Sequence, residues 1–175
     1  MKFETLKIYN WMAYKDKQQL EFPTDDTINI LLIYGENMHG KTSLLNAVRW
    51  CLYGKALDRQ KRMIDARKII NSDSFSKGDN EFSVELVFKA NNQSYQLKRS
   101  CKIKIDGTQN DTFCELKIDG RVIDGGKIDS VIEQLIPEQI SNFMLFDGEL
   151  LAEFEQLVTD YGNSQAGAIK RNIEK

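Results

Sequence analysis

The sequence is poor in the features that staple or anchor small proteins. Its three cysteines, Cys51, Cys101 and Cys114, are an odd number, widely spaced, with no CxxC pair. That argues against a disulfide framework or thiolate zinc site and suits a reducing compartment. No apolar run approaches the ~18–20 residues a bilayer-spanning helix needs. The opening Met1-Lys2-Phe3-Glu4-Thr5-Leu6 places acid early and lacks the apolar stretch of an export signal. We therefore expect a cytoplasmic protein with no membrane partner. Charge of one sign is also scarce. The formal net charge is −2, so overall electrostatics give no support to polyanion binding. Internal repeats and low-complexity segments are missing too.

What is present is an ordinary globular composition, 41% apolar over 175 residues, enough for one domain with a core. Lys2 to Tyr9 alternates like an edge strand, and Gln18 to Phe22 reads as its hairpin partner, ended by Pro23. Ile28 to Tyr34 is a nearly continuous β-rich run, the pattern of a strand buried on both faces. Leu44, Leu45, Val48, Cys51 and Leu52 recur at helical spacing, and Gly54 supplies a stop. Asn71 to Asn80 is polar and predicts a loop. Phe82 to Phe88 alternates, Ser94 to Ile105 continues the pattern, and Asp119-Gly120 between two short runs signals a hairpin. An antiparallel sheet is expected from Phe82 to Ile123. Short helices are expected over Asp129 to Ile136, before Pro137, and over Leu150 to Val158. Ile169 and Ile173 stand four apart in a charged tail.

Gly35-Glu36-Asn37-Met38-His39-Gly40-Lys41-Thr42 matches the phosphate-loop pattern G-x-x-x-x-G-K-[ST] in full, with the expected strand before it and helix after it. Backbone N–H groups from Gly35 to Gly40 would converge on phosphate oxygens, with glycines allowing close approach. The helix beginning near Lys41 would turn its partial positive end toward them. In this pattern Lys41 reaches the β- and γ-phosphates, the Thr42 hydroxyl ligates magnesium, and Ser43 donates near the α-phosphate. ATP and Mg2+ are the expected ligands. No guanine-reading Asn-Lys-x-Asp is present. His39, the one histidine, is read as a loop backbone donor with an incidental side chain. Arg59 to Lys68 carries five basic residues: Arg59, Lys61, Arg62, Arg67 and Lys68. It is read first as a solvated helix face and second as the local patch for a DNA contact.

These residues resemble one branch of phosphate-loop proteins. Leu6-Lys7-Ile8-Tyr9-Asn10-Trp11 is similar to the opening of SMC, SbcC and RecF-type heads. Ile33-Tyr34-Gly35-Glu36-Asn37 is similar to their loop, and Leu44 to Lys55, reading LLNAVRWCLYGK, to the helix that follows it. Ser141 to Leu151, reading SNFMLFDGELL, resembles the Q-loop region, and its Phe-Asp-Gly-Glu resembles the DNA sulfur-modification protein DndD and its relatives. Met12 and Ala13 stand where such heads often carry Arg and Ser against phosphate.

The resemblance implies an α/β P-loop NTPase of ABC/SMC head type: a mixed core sheet plus an antiparallel β-subdomain, an incomplete N-terminal half. Residues 1–160 would form that half-head and 161–175 would begin a coiled-coil helix. Asp147 would hold magnesium or its water from the Q-loop position. The rival reading makes Phe143 to Glu149 a Walker B strand, although Gly148, not Glu, follows Asp147. Lys41 and Asp147 would be the catalytic pair.

The implied activity is ATP hydrolysis, weak without the missing half, since no Ser-Gly-Gly signature or Asp-Glu pair is present. Implied partners are DNA, a second copy of the head in an ATP-dependent dimer, the C-terminal half of the same head, and nuclease or modification-complex subunits. Nucleoid association would follow in a bacterium. Two other readings stay open. One is a small-molecule kinase with Arg59, Arg62 and Arg67 as a lid. The other is a nucleotide-binding interaction module without hydrolysis, motivated by Met12, Ala13 and Asp147.

Overall fold

The computed structural model describes residues 1–140 and 145, except 26, 28, 37, 38, 59, 105 and 107. One antiparallel sheet organises them. Its strands are β1 (Lys2–Trp11), β2 (Tyr14–Glu21), β3 (Glu81–Ala90), β4 (Gln93–Lys102), β5 (Asp111–Ile118) and β6 (Arg121–Val122). Their spatial order is β2-β1-β3-β4-β5-β6. The hairpins are tight. Asn91 and Asn92 turn β3 into β4 at φ 50° and 62°, and Asp119 and Gly120 turn β5 into β6 at φ 49° and 79°. Two consecutive positive φ values match the right-handed twist of the flanking strands, which is why Asn, Asp and Gly occupy these turns.

Alternation along the strands gives the sheet one dry face. Leu6 and Ile8, then Phe82, Val84, Leu86 and Phe88, then Leu97, Cys101 and Leu116 are buried on it. On the other face Lys7, Glu85, Lys98 and Glu115 lie side by side on successive strands, and Lys7 Nζ sits 2.8 Å from Glu85 Oε1. Alternating charge across neighbouring strands suits a solvated face.

Helix α1 (Lys41–Tyr53) covers the dry face. Trp50 meets Trp11 at 5.1 Å and Phe82 at 5.2 Å between ring centroids, and Trp11 meets Phe82 at 5.7 Å. Such tilted pairs contribute about 0.5–1.5 kcal/mol each beyond the area they bury. The helix stops at Gly54, whose φ of 70° lets its N–H return to the Trp50 carbonyl. Arg99 of β4 donates from Nε to the Cys51 carbonyl at 3.2 Å, a cation against the partial negative end of the helix. Short helices α2 (Ala66–Ile69) and α3 (Ser72–Ser76) are capped by the Asp65 and Asn71 side chains, and α4 (Ile128–Leu135) ends before Pro137. All three cysteines are free thiols. Among the described residues no helix is long and apolar enough to cross a membrane.

Four expectations need correction. First, β1 is not an edge strand: it pairs with β2 on one side and β3 on the other. Polar–apolar alternation marks a strand with one wet face, and in an antiparallel sheet such strands occur inside as well as at the edge. Second, the polar stretch 71–80 contains α3, whose nucleus is a cap rather than an apolar stripe. Third, the described residues of 28–34 form no strand, and Ile30 and Tyr34 are 81% and 85% exposed. A strand that is apolar on both faces exists only between partner strands, and among the described residues none pairs with it. The expected mixed core sheet is accordingly not formed among them. Fourth, among the described residues of the basic stretch only Ala66, Arg67 and Lys68 are helical, as part of α2. The expected helix over Leu150 to Val158, the tail from Gln165, and the boundary at 160 lie outside the described residues.

Candidate functional site

Gly40 sits at the joint between loop and helix. Its φ of 92° is left-handed, and a Cβ placed there would stand 3.1 Å from Tyr14 Oη and 3.2 Å from Ala13 Cβ. Both conformation and space therefore demand glycine. Helix α1 begins at once, with no side chain capping it and no acidic residue in its first turn. The first-turn N–H groups of a helix have no carbonyl within it. Leu44 donates its N–H to the Gly40 carbonyl at 3.1 Å. The N–H groups of Lys41 to Ser43 thus lead the helix with its partial positive charge, a setting that favours an anion.

The described residues of the loop in front meet one another and the helix start. His39 N–H points back to the Glu36 carbonyl at 3.4 Å. Lys41 folds over it and donates Nζ to the Gly35 and Glu36 carbonyls at 2.6 and 2.8 Å. One ammonium and the amide-lined start of a helix lie together, the donor set a polyphosphate requires. Lys41 and Thr42 are exposed and Ser43 is half-buried, so the mouth is open. Among the described residues no cluster of three His, Cys, Asp or Glu side chains exists to cage a metal. Magnesium ordinarily needs only one or two protein ligands beside phosphate and water, and Thr42, next to Lys41 on the first turn, fits that mode.

The turn between β1 and β2 forms a wall of the site. Trp11 donates Nε1 to the Ser43 carbonyl at 2.9 Å, and Tyr14 donates its hydroxyl to the Gly40 carbonyl at 3.1 Å. Burial pushes the Tyr14 phenol above its ordinary range, so it remains a donor. The turn is fixed from behind. Met12 N–H donates to the Ile69 carbonyl, Asn71 N–H to the Asn10 carbonyl, and Asn71 Nδ2 to the Met12 carbonyl at 2.8 Å. Asn10, fully buried at φ 47°, donates Nδ2 to Asp79 at 2.8 Å, while its Oδ1 accepts from the Asp16 N–H and the Ser74 hydroxyl.

Of the expected site residues, Gly35, Glu36, His39, Gly40, Lys41, Thr42 and Ser43 come together at this turn. Asn37, Met38 and Asp147 lie outside the described residues, as does Arg59. Arg62 is engaged with Asp58 at 2.8 Å, and Arg67 donates to the Lys104 carbonyl at 3.4 Å. Sequence reasoning passed over Trp11 and Tyr14 as wall residues, and Asn10 behind them. Trp11 was visible only as part of a motif. Nothing in spacing reveals that its indole N–H reaches Ser43.

The chain is similar to several known proteins. Over 129 residues the chain is 29% identical to the DNA double-strand break repair Rad50 ATPase of Thermoplasma volcanium, covering 74% of this chain and 12% of that protein. It is 29% identical over 102 residues to the SbcC component of nuclease SbcCD from Staphylococcus epidermidis, covering 58% and 10%. The Staphylococcus aureus SbcC is 31% identical over 94 residues, covering 54% and 9%. The chain thus spans only about a tenth of the length of these relatives. A solved SMC head domain from Thermotoga maritima aligns over 75% of this chain and 42% of its own, with 18% identity and a TM-score of 0.45. A family model described as AAA domain matches residues 5–175, nearly the whole chain, and the chain belongs to that family.

Proposed function

We propose that this chain is the ATP-binding part of an SMC-like, DNA-associated ATPase head. One observation carries the reading: helix α1 starts without a side-chain cap at left-handed Gly40, with Lys41 Nζ bonded to the Gly35 and Glu36 carbonyls. Lys41 would exchange those carbonyls for β- and γ-phosphate oxygens. The N–H groups of Lys41, Thr42 and Ser43 would hold the phosphates on the helix axis. Trp11 and Tyr14 keep the turn from collapsing. Bound magnesium would offset charge developing on the phosphates, with Thr42 holding it and Asp147 the second candidate ligand.

Hydrolysis by phosphate loops is positioning and charge stabilisation, so this part alone should turn over slowly. The exposed apolar run from Ile30 to Tyr34 supports a site completed by further chain, the C-terminal half of the same head. The similarity to a DNA double-strand break repair ATPase supports DNA as the macromolecular partner, and a second head across the nucleotide is part of the same proposal. Within this class we favour DNA sulfur modification, on Phe146-Asp147-Gly148-Glu149, with repair and phage defence next. Nuclease or modification subunits would then be partners, in the cytoplasm. Arg62 and Arg67, the lid residues of the kinase alternative, pair here with Asp58 and the Lys104 carbonyl.

Titration with a fluorescent ATP analogue, with and without Mg2+, tests the reading. Saturable binding that Thr42→Ala weakens only when Mg2+ is present supports it. Binding that is indifferent to both Mg2+ and Thr42 removes the magnesium assignment.

A further inference from the structure

Asn10 is fully buried next to the last residue of β1, at a left-handed φ of 47°. Asparagine is one of the few residues with a side chain that visit this conformation readily. Its amide offers two N–H donors and two acceptor sites, and all four are used. Nδ2 donates to Asp79 Oδ2 at 2.8 Å and to the Glu81 carbonyl at 3.3 Å. Oδ1 accepts the Asp16 N–H at 3.0 Å and the Ser74 hydroxyl at 2.7 Å. Asp79 is held in turn by the Tyr9 hydroxyl. That single amide ties the end of β1 to β2, α3, β3 and the segment before β3. The bond to Asp16 has a special place. It closes residues 10–16 into a ring, and Asp16 also stands at a left-handed φ, 56°. Trp11 and Tyr14 lie within that ring, and they hold the Ser43 and Gly40 carbonyls.

We propose that Asn10 is a positioning residue that sets nucleotide affinity by closing this ring, a role that rests on reading Gly35 to Ser43 as the nucleotide site. The closed ring fixes the Trp11 indole and the Tyr14 phenol against the first turn of α1. The Gly40 carbonyl and the Lys41 N–H belong to one planar peptide. The Tyr14 bond to that carbonyl therefore fixes the direction of the first amide assigned to phosphate. With the ring open, both anchors lose their heights and the amides lose their common aim. Few side chains replace asparagine here. Aspartate would keep both acceptor contacts, but it has no N–H to give and would set a second carboxylate against Asp79.

Titration of the chain with a fluorescent ATP analogue and Mg2+, well below the melting temperature of every variant, tests this. Asn10→Asp should weaken binding by about fivefold or more, the lower end of ordinary coupling between sites. Asn10→Asp combined with Asp79→Asn restores the contact with its polarity reversed, the new amide donating to the new carboxylate. Most of the affinity should return. Leu116→Ala, in the core part of β5 and away from the turn, should lower the melting temperature and leave affinity unchanged. Ser74→Ala removes one donor to Asn10, should weaken binding by a smaller factor, and stands in where Asn10→Asp fails to fold. Unchanged affinity in folded Asn10→Asp, or in Ser74→Ala where it stands in, would overturn the proposal. So would a double variant that regains the melting temperature but not the affinity, or a Leu116→Ala that binds as weakly as Asn10→Asp. A native chain that binds no analogue would instead remove the nucleotide site itself, and the role of Asn10 with it.

Discussion

Trp11 and Ser43 are joined by a hydrogen bond of 2.9 Å from the indole Nε1 to the backbone carbonyl, linking the last residue of β1 to the first turn of α1. The same indole is fully buried against Trp50 and Phe82. One side chain therefore packs the core and sets the height of the turn at which we propose phosphate binds. Trp11→Phe keeps most of the packing and deletes the donor. It should cost about 1–3 kcal/mol, from the lost bond and the smaller ring. A shift of the urea midpoint at unchanged m-value checks this, and nucleotide affinity should fall in parallel.

Gly40→Ala meets two penalties at once. A left-handed non-glycine residue costs about 1–2 kcal/mol, and the new methyl would press on Tyr14 and Ala13. We expect a lower melting temperature and a larger loss of ATP-analogue affinity. Gly120→Ala also meets a positive φ, but with open space around it, and should leave binding unchanged.

Asn46→Ala should destabilise by about 1–3 kcal/mol, because it strips partners from both the N–H and the carbonyl of Leu57. Chemical denaturation measures the cost. Exchange at residues 56–58 should rise well above that of the sheet.

Asp79 sets an acid limit. The Tyr9 hydroxyl, and then the Asn10 amide and the Glu81 N–H, hold its carboxyl below the ordinary 3.8. Its ionised form is thus favoured by folding. The stabilisation is complete above pH 3.8 and is lost as pH falls through the lower folded value. Asp79→Asn should flatten this part of the acid limb when urea midpoints are compared between about pH 5 and pH 2.

Much of this architecture was legible in the residues, for physical reasons. Helix α1 announces itself through apolar spacing and the Gly54 stop, and the β5–β6 turn through Asp119-Gly120, because those signals are local. What escaped is non-local. The place of β1 inside the sheet depends on β3, more than seventy positions away. The run at Ile30 to Tyr34 reads as buried, yet burial needs neighbours that no single strand encodes. At the candidate site, the join between Gly40 and the start of α1 was legible because the pattern that marks it is local. The bonding of Asn10 was not, since its side-chain partners at 16, 74, 79 and 81 come from other parts of the fold.

If a triphosphate binds at the start of α1 with Lys41 as its cation, removing that ammonium should abolish binding and spare the fold. Isothermal titration with an ATP analogue and Mg2+, native chain against Lys41→Ala, reads this out. The native chain should show one site and the variant no measurable heat, with the far-UV spectrum and melting temperature of the two alike. Equal affinity in both chains would contradict the assignment of Lys41 and, with it, the nucleotide site.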